Sequence, residues 1–236
     1  MKYKAILFDM DGTLVPMDMH GFTKGYFKML FMKLARHKLN PETFAQDMWA
    51  GVAAMVKNDG SRPNEDAFWS FFEQAVGKPK DDINADCLDF YGHEFDAAKQ
   101  FTQENPLAKT AVDTARAKAE KVVLATNPLF PMVGQITRMN WVGLKREDFD
   151  LVSCYEVDRY CKPNPEYYRA ICEKIGVSPA DCLMIGNDEE EDMYAASTLG
   201  MDGYLVTDCL IPCEAHPWNG KRGSFAELVN FLNTLD

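Results

Sequence analysis

The stretch "AILFDMDGTL", residues 5–14, decides the fold. Its four apolar residues, 5–8, are followed at once by two aspartates, Asp9 and Asp11, and by a Gly-Thr pair. An uninterrupted apolar run of this length is typical of a strand that is buried on both faces. We therefore predict two carboxylates at the carboxyl end of a buried strand, which is where open parallel sheets bind their ligands.

Four further apolar runs indicate strands, and helical patterns separate them. The predicted strands are 121–125, 149–153, 182–186 and 203–206. The predicted helices are 105–119, 128–140, 164–175, 189–199 and 225–235. Because strands and helices alternate, we predict an α/β fold with a doubly wound, mainly parallel sheet.

A long segment between the first two strands contains no clear buried strand and has helical periodicity instead. Its helical patterns cover 25–39, 40–56, 62–77 and 82–98, and Asn40 is the expected N-cap of the second. We predict that residues 16–100 form an inserted helical domain, whose Met and Phe stripes are its core. Residues 1–15 and 101–236 then form the sheet domain.

The composition excludes several classes of function. The chain has 36 acidic and 25 basic residues, a net charge of −11 and no basic stretch, so we expect no nucleic-acid partner. No apolar run approaches the ~20 residues that cross a bilayer, so we expect no membrane partner. The seven cysteines follow no regular spacing, and the first residues do not form a signal peptide. These features favour reduced thiols and a cytoplasmic location.

Chemically useful side chains occur where the chain leaves the predicted sheet. Thr126 and Asn127 follow the second strand, Lys162 precedes a helix, and an acidic cluster, 187–192, follows "CLMIG". Converging carboxylates repel one another, and Mg²⁺ is the hard cation that suits oxygen ligands. Thr126 and Lys162 are donors for phosphoryl oxygens. One carboxylate could be a nucleophile toward phosphorus, and a second could act as a general acid and base.

Four segments resemble, in order, the four motifs of the haloacid dehalogenase (HAD) superfamily. They are "DMDGTL" (9–14), "VVLATN" (122–127), Lys162 in "YCKPNPEYY", and "LMIGNDEEEDMYAASTLGM" (183–201). The long insertion after the first motif resembles the helical C1 cap of this superfamily. The resemblance implies a Rossmann-like core with an inserted cap, and phosphatase activity that depends on Mg²⁺.

The resemblance also assigns roles to individual residues. Asp9 is implied to be the nucleophile and a metal ligand. Asp11 is implied to be the general acid and base, and its backbone carbonyl is a second metal ligand. Thr126 is expected to bind the phosphoryl oxygens together with backbone N–H groups near Met10 and Asn127. Lys162 is expected to be both a catalytic and a phosphate-binding residue, because it balances the negative charge on Asp9 and the phosphate.

The fourth motif leaves one assignment open. Many relatives have Asp directly after the glycine, whereas this chain has Asn187 there and Asp188 next. We expect Asp188 to be the carboxylate ligand of the metal, with Asn187 as the alternative. Asp192, one helical turn further on, is expected to support the site from behind Asp188.

The preferred function is a phosphatase that hydrolyses a small phosphorylated metabolite through an aspartyl-phosphate. Asp11 favours phosphoryl chemistry over dehalogenation, since halide leaves without a proton. The alternatives are a phosphomutase of the same superfamily and a non-catalytic, receiver-type phosphate-binding protein, against which the cap and Asp11 count. Cys209, Cys213 and His216 fit no common zinc pattern. Neither the substrate nor the oligomeric state follows from the sequence.

Overall fold

The computed structural model describes residues 1–236 and has a six-stranded parallel sheet at its centre. The strands are β1 (Ala5–Phe8), β2 (Lys121–Leu124), β3 (Leu151–Val152), β4 (Cys182–Gly186), β5 (Asp202–Val206) and β6 (Lys221–Gly223). Their order is β3-β2-β1-β4-β5-β6. The chain therefore winds outward in both directions from β1, which confirms the predicted doubly wound sheet and places the ligand crevice beside β1.

The strand register brings the expected site residues to one level. Phe8 at the end of β1 pairs with Leu124 of β2 on one side and with Ile185 of β4 on the other. The chain leaves all three strands within two residues of this row. Asp9, Thr126 and Asn187 consequently lie at the same carboxyl edge of the sheet.

The segment between β1 and β2 is helical, as the sequence predicts. Its α-helices are α1 (Met19–Lys33), α2 (Phe44–Val56), α3 (Asn64–Val76) and α4 (Lys80–Gly92), with 3₁₀ turns at Leu34–His37 and Glu94–Phe101. The two crossings between insertion and sheet lie side by side: Met17 pairs with Thr102, and the N–H of Gln103 donates to the Pro16 carbonyl at 2.8 Å. The division into 1–15, 16–100 and 101–236 stays a prediction.

Two helix starts in the insertion differ from the prediction by four residues or more. Helix α1 begins six residues before 25, because the Asp18 carboxylate accepts hydrogen bonds from the N–H groups of His20 and Gly21. The assignment of Asn40 as the N-cap of the second helix is wrong. Its side chain accepts from the N–H of Glu42 at 3.0 Å and forms a turn, and α2 begins only after Thr43.

The remaining helices are α5 (Ala108–Lys118), α6 (Met132–Trp141), α7 (Pro165–Ile175), α8 (Ala195–Ser197) and α9 (Phe225–Asn233). None of the helices combines the length and the apolar composition that crossing a membrane requires. Helix α6 begins four residues after the predicted start at 128, because Pro131 keeps the preceding residue out of the helical region. The predicted helix 189–199 is a π-helical turn, Glu189–Tyr194, followed by α8.

One aromatic cluster joins the insertion to the sheet domain. At its centre lies Phe95, which is fully buried. The rings packed around it at centroid distances of 5.1 to 6.1 Å are Phe22, Tyr26, Phe90 and Tyr91 of the insertion and Phe130 and Trp141 of the sheet domain. The insertion and one face of the sheet therefore share a continuous apolar core.

Replacing Phe95 by alanine should lower the free energy of unfolding by ~3–5 kcal/mol, since it removes a buried ring and leaves a cavity. Urea denaturation of the purified variant measures the loss. Phe71→Ala is the matched control, because the Phe71 ring is 40% exposed and its removal should cost less than ~1 kcal/mol. Similar losses for the two variants would contradict a shared core centred on Phe95.

Candidate active site

A buried group of three charges forms the centre of the site. The ammonium of Lys162 donates to Oδ1 of Asp9 at 2.8 Å and to Oδ1 of Asp192 at 2.6 Å, and Lys162 is 1% exposed. Burial alone would lower the pKa of Lys162, but the carboxylates of Asp192 and Asp9 raise it well above its usual range. The lysine is therefore charged, and it holds the Asp9 carboxylate at the end of β1.

Free hydrogen-bond donors surround Asp9. The Thr126 carbonyl accepts from the Tyr167 hydroxyl at 2.8 Å, while the Thr126 hydroxyl has no partner within the chain. The backbone N–H groups of Met10 and Asn127 also make no hydrogen bond within the chain. These donors can bind the oxygens of a phosphoryl group next to Asp9.

The helix N-terminus expected to lie directly after Thr126 is absent from this position. The prediction of a helix starting at Pro128 is wrong, since the first N–H of α6 belongs to Met132 and donates to the Glu156 carboxylate at 2.8 Å. Any phosphate beside Thr126 would therefore be bound by the loop.

The side chain of Asn187 joins the loop that carries Thr13 to the loop that carries Cys209. Its Oδ1 accepts from the Thr13 hydroxyl at 3.0 Å, and its Nδ2 donates to the Cys209 carbonyl at 2.7 Å. The side chain also packs closely against Gly12, where an added Cβ would lie 2.3 Å from Nδ2 of Asn187. Because these contacts occupy the amide, its geometry favours a structural role over metal ligation.

Asp188 and Asp192 use their oxygens differently. Oδ1 of Asp188 caps the following turn by accepting from the N–H groups of Glu190 and Glu191, both at 2.8 Å, and Oδ2 has no partner within the chain. Burial raises the pKa of Asp188. Oδ2 of Asp192 accepts from the N–H groups of Asn187 and Asp188 at 3.0 and 3.1 Å, so Asp192 holds the loop that carries Asp188.

Asp11 has an arginine partner that the sequence analysis missed. Nη1 of Arg138, on α6, donates to Oδ2 of Asp11, and Arg138 is fully buried. Oδ1 of Asp11 is buried without a partner. Burial raises the pKa of Asp11, although Arg138 opposes the shift, and a raised pKa suits a carboxyl group that donates a proton.

Glu191 is a second residue that the sequence analysis did not assign. Its carboxylate accepts from the Asn127 amide at 3.1 Å. Burial raises the pKa of Glu191 to about 8. The charges of Lys162, Asp192 and Asp188 also affect the pKa of Glu191. Its position in the acidic run was visible in the sequence, but its contact with Asn127 was not. Glu191 lies in the π-helical turn, a distortion often found at functional sites.

The oxygen atoms near Asp9 that could act as metal ligands fit a magnesium ion. No three acidic, His or Cys side chains form a cluster that could hold a metal by themselves. However, the Asp11 carbonyl accepts no hydrogen bond within the chain, and Oδ2 of Asp188 is free. Two carboxylates and a carbonyl match Mg²⁺, which usually takes one or two carboxylates and keeps waters and substrate oxygens as its other ligands.

The loop after β5 braces the acidic turn. The N–H groups of Cys213 and Trp218 donate to the buried Glu189 carboxylate at 2.9 and 3.2 Å. His216 stacks on Tyr194 with ring centroids 3.6 Å apart. These contacts give the segment around Cys209, Cys213 and His216 a packing role.

The fold and this arrangement of residues define an enzyme of phosphoryl transfer, either a phosphatase or a phosphomutase. The chain belongs to the haloacid dehalogenase-like hydrolase family, which it matches over residues 3–200. This result confirms the resemblance seen in the four sequence motifs.

Individual relatives are similar over most of their length. The phosphoglycolate phosphatase of Nitrosospira multiformis is 22% identical over 204 residues, which are 86% of this chain and 82% of that protein. The crystal structure of a HAD phosphatase from Thermococcus onnurineus has a TM-score of 0.63 and 19% identity and covers 97% of each chain. The HAD family enzyme BT-2542 of Bacteroides thetaiotaomicron, solved with magnesium and inorganic phosphate, has a TM-score of 0.51, is 20% identical, and covers 92% of this chain and 98% of that one.

Gly12→Ala should destabilise the protein more than Gly77→Ala. Both glycines have positive φ angles, +86° and +66°, so both variants carry the strain of about 1–3 kcal/mol for that conformation. Only at Gly12 does the new Cβ also meet the Asn187 side chain; at Gly77 nothing lies within 4 Å. Chemical denaturation of both variants measures the difference, and equal losses would show that the contact between Gly12 and Asn187 is unimportant.

Proposed function

We propose that the protein is a Mg²⁺-dependent phosphatase that hydrolyses a small phosphorylated metabolite through an aspartyl-phosphate on Asp9. The observation that carries this proposal is the Asp9 carboxylate, held by Lys162 beside the unpaired donors of Thr126, Met10 and Asn127. A carboxylate next to a cation and free N–H and O–H donors suits nucleophilic attack on a phosphoryl group.

In the first step the Asp9 carboxylate attacks phosphorus. A bond forms between an Asp9 oxygen and phosphorus as the bond from phosphorus to the leaving oxygen breaks. Asp11 gives its proton to that leaving oxygen, which departs as an alcohol. Lys162 and the donors around Thr126 stabilise the negative charge on the phosphoryl oxygens.

In the second step water releases the phosphate. The Asp11 carboxylate takes a proton from a water molecule, whose oxygen attacks phosphorus. The bond between Asp9 and phosphorus breaks, inorganic phosphate leaves, and Asp9 and Asp11 return to their starting protonation states.

Magnesium would be held by the carboxylates of Asp9 and Asp188 and by the Asp11 carbonyl. When bound, it would neutralise charge on the phosphoryl group. Asn187 and Asp192 support this site by holding the loop that bears Asp188.

The substrate class rests on the relatives and on the insertion. A relative named phosphoglycolate phosphatase supports a small phosphorylated metabolite as substrate. The helical insertion, residues 16–100, acts in this proposal as a C1-type cap, since its Tyr26 and Tyr91 pack on Phe130, the ring that lies against Arg138. All seven cysteines are free thiols, which supports the proposed cytoplasmic location.

A screen of sugar phosphates, nucleotides and small organic phosphates, with Mg²⁺ and with excess chelator, tests the proposal. We expect many phosphates released per chain for at least one substrate class, and no release in chelator. A phosphomutase would instead move the phosphoryl group within a sugar phosphate, and a receiver-type protein would take up about one phosphate per chain. Full activity in chelator would refute the role of the metal.

Asp9→Asn and Asp11→Asn should separate the two carboxylate roles. Asp9→Asn should abolish both turnover and the covalent intermediate, because an amide is a poor nucleophile. Asp11→Asn should slow turnover by ~10²–10⁴ for an alkyl phosphate, the range for general acid–base catalysis, and by less for an aryl phosphate whose leaving group needs no proton. Steady-state kinetics with both substrates measure this, and equal losses for Asp11→Asn would contradict the acid role.

Magnesium titrations should distinguish the candidates in the acidic turn. Asp188→Ala removes an anionic ligand, so the Mg²⁺ concentration for half-maximal activity should rise at least ~100-fold, or about 2.7 kcal/mol. Asp192→Ala should raise it by ~10–100-fold by loosening the loop. Asn187→Ala should change it little and should chiefly lower stability. If Asn187→Ala raised the Mg²⁺ concentration for half-maximal activity more than the other two variants, the assignment of Asp188 as a metal ligand would be wrong.

A further inference from the structure

We propose that Arg138 is a positioning residue that fixes the carboxylate of Asp11, so that one oxygen is anchored and the other is left to exchange the proton. This inference rests on the proposed function, because it assigns a role to the residue that holds its general acid. It concerns orientation and requires no metal ion.

Arg138 contacts only one of the two carboxylate oxygens of Asp11. Nη1 of Arg138 donates to Oδ2 of Asp11, while Oδ1 is buried and has no partner. Without an anchor the carboxylate could rotate and present either oxygen. With Oδ2 held, Oδ1 is the oxygen left without a partner, and in this proposal it gives the proton to the leaving oxygen and takes one from water once substrate is bound.

Arg138 is itself fixed from two other sides. Its Nη2 donates to Oε1 of Gln135, whose amide in turn donates to the Ser153 carbonyl at 3.0 Å, just beyond β3. Its guanidinium lies over the Phe130 ring, 4.0 Å from the centroid. A planar cation with several donors can make these contacts together, which a lysine cannot.

Asp11 is the only carboxylate paired with this buried cation. Leaving a buried arginine without its partner is costly, so the pair constrains both side chains strongly. Tyr26 of α1 packs against the Phe130 ring with centroids 5.5 Å apart, and the Arg138 guanidinium lies over the same ring, so the pair lies next to the insertion. The anchored carboxylate therefore lies where the insertion meets the sheet domain.

Arg138→Met tests the role through its dependence on the leaving group. A misplaced acid should slow turnover of an alkyl phosphate by ~10–100-fold, a part of the general-acid contribution. Turnover of an aryl phosphate with a good leaving group should change by less than about threefold, and the KM values should change little. The ratio of the two losses is the quantity of interest, since a general structural defect would lower both rates equally.

Three further variants complete the experiment. Arg138→Lys keeps the charge and should recover part of the alkyl phosphate rate. In an Asp11→Asn background Arg138→Met should add almost nothing, because the two changes remove one function. Arg146→Met is the matched control: Arg146 donates to the Phe149 carbonyl at 2.7 Å and touches no site residue, so both substrates should be hydrolysed at the wild-type rate.

If Arg138→Met proves too unstable to purify, Gln135→Met gives the same test, since it releases Nη2 and should produce a smaller loss with the same preference for alkyl phosphates. Equal losses on both substrates would reduce Arg138 to a structural residue. Faster alkyl phosphate turnover would show that Arg138 hinders proton transfer by Asp11. Both results would overturn this inference while leaving the phosphatase proposal intact, whereas a wild-type protein that hydrolyses nothing would refute that proposal itself.

Discussion

The buried contact of Lys162 with Asp9 and Asp192 is the interaction on which the rest of the site depends. It joins the end of β1, the loop before α7 and the turn after β4. An ammonium that is 1% exposed is stable only with partners in good geometry, because removing one leaves an unpaired buried charge. The three segments must therefore be in place together, and Asp9, the proposed nucleophile, is positioned as the sheet domain folds.

Close packing of backbone against side chains gives the two acidic loops their shape. A Cβ on Gly186 would lie 2.1 Å from Oδ2 of Asp192, the atom that accepts from the N–H groups of Asn187 and Asp188. Glycine at this position thus allows one carboxylate to hold two backbone groups. Gly12 allows the same approach by Asn187. Two small residues set the separation of the loops that carry Asp11 and Asp188.

The sequence predicted the sheet and the strand-end residues because a short apolar run followed by polar residues fixes where a buried strand ends. Asp9, Thr126 and Asn187 could be placed in this way. It could not predict Arg138, since a single arginine on an amphipathic helix is usually exposed, whereas Asp11 and the Phe130 ring bury this one. Strand β6 was missed because "KRG" is polar, as suits an edge strand.

The balance of charge in the site supports the proposed metal ion. Its carboxylates belong to Asp9, Asp11, Asp188, Glu191 and Asp192, and its cations are Lys162 and Arg138. Lys162 is shared between two acids and Arg138 is bound to Asp11, which leaves Asp188 and Glu191 without a positive partner. Burial raises the pKa of Glu191 to about 8, and the neighbouring carboxylates add to the shift. In the proposed function a phosphorylated substrate would add further negative charge, and a divalent ion beside Asp188 would offset it.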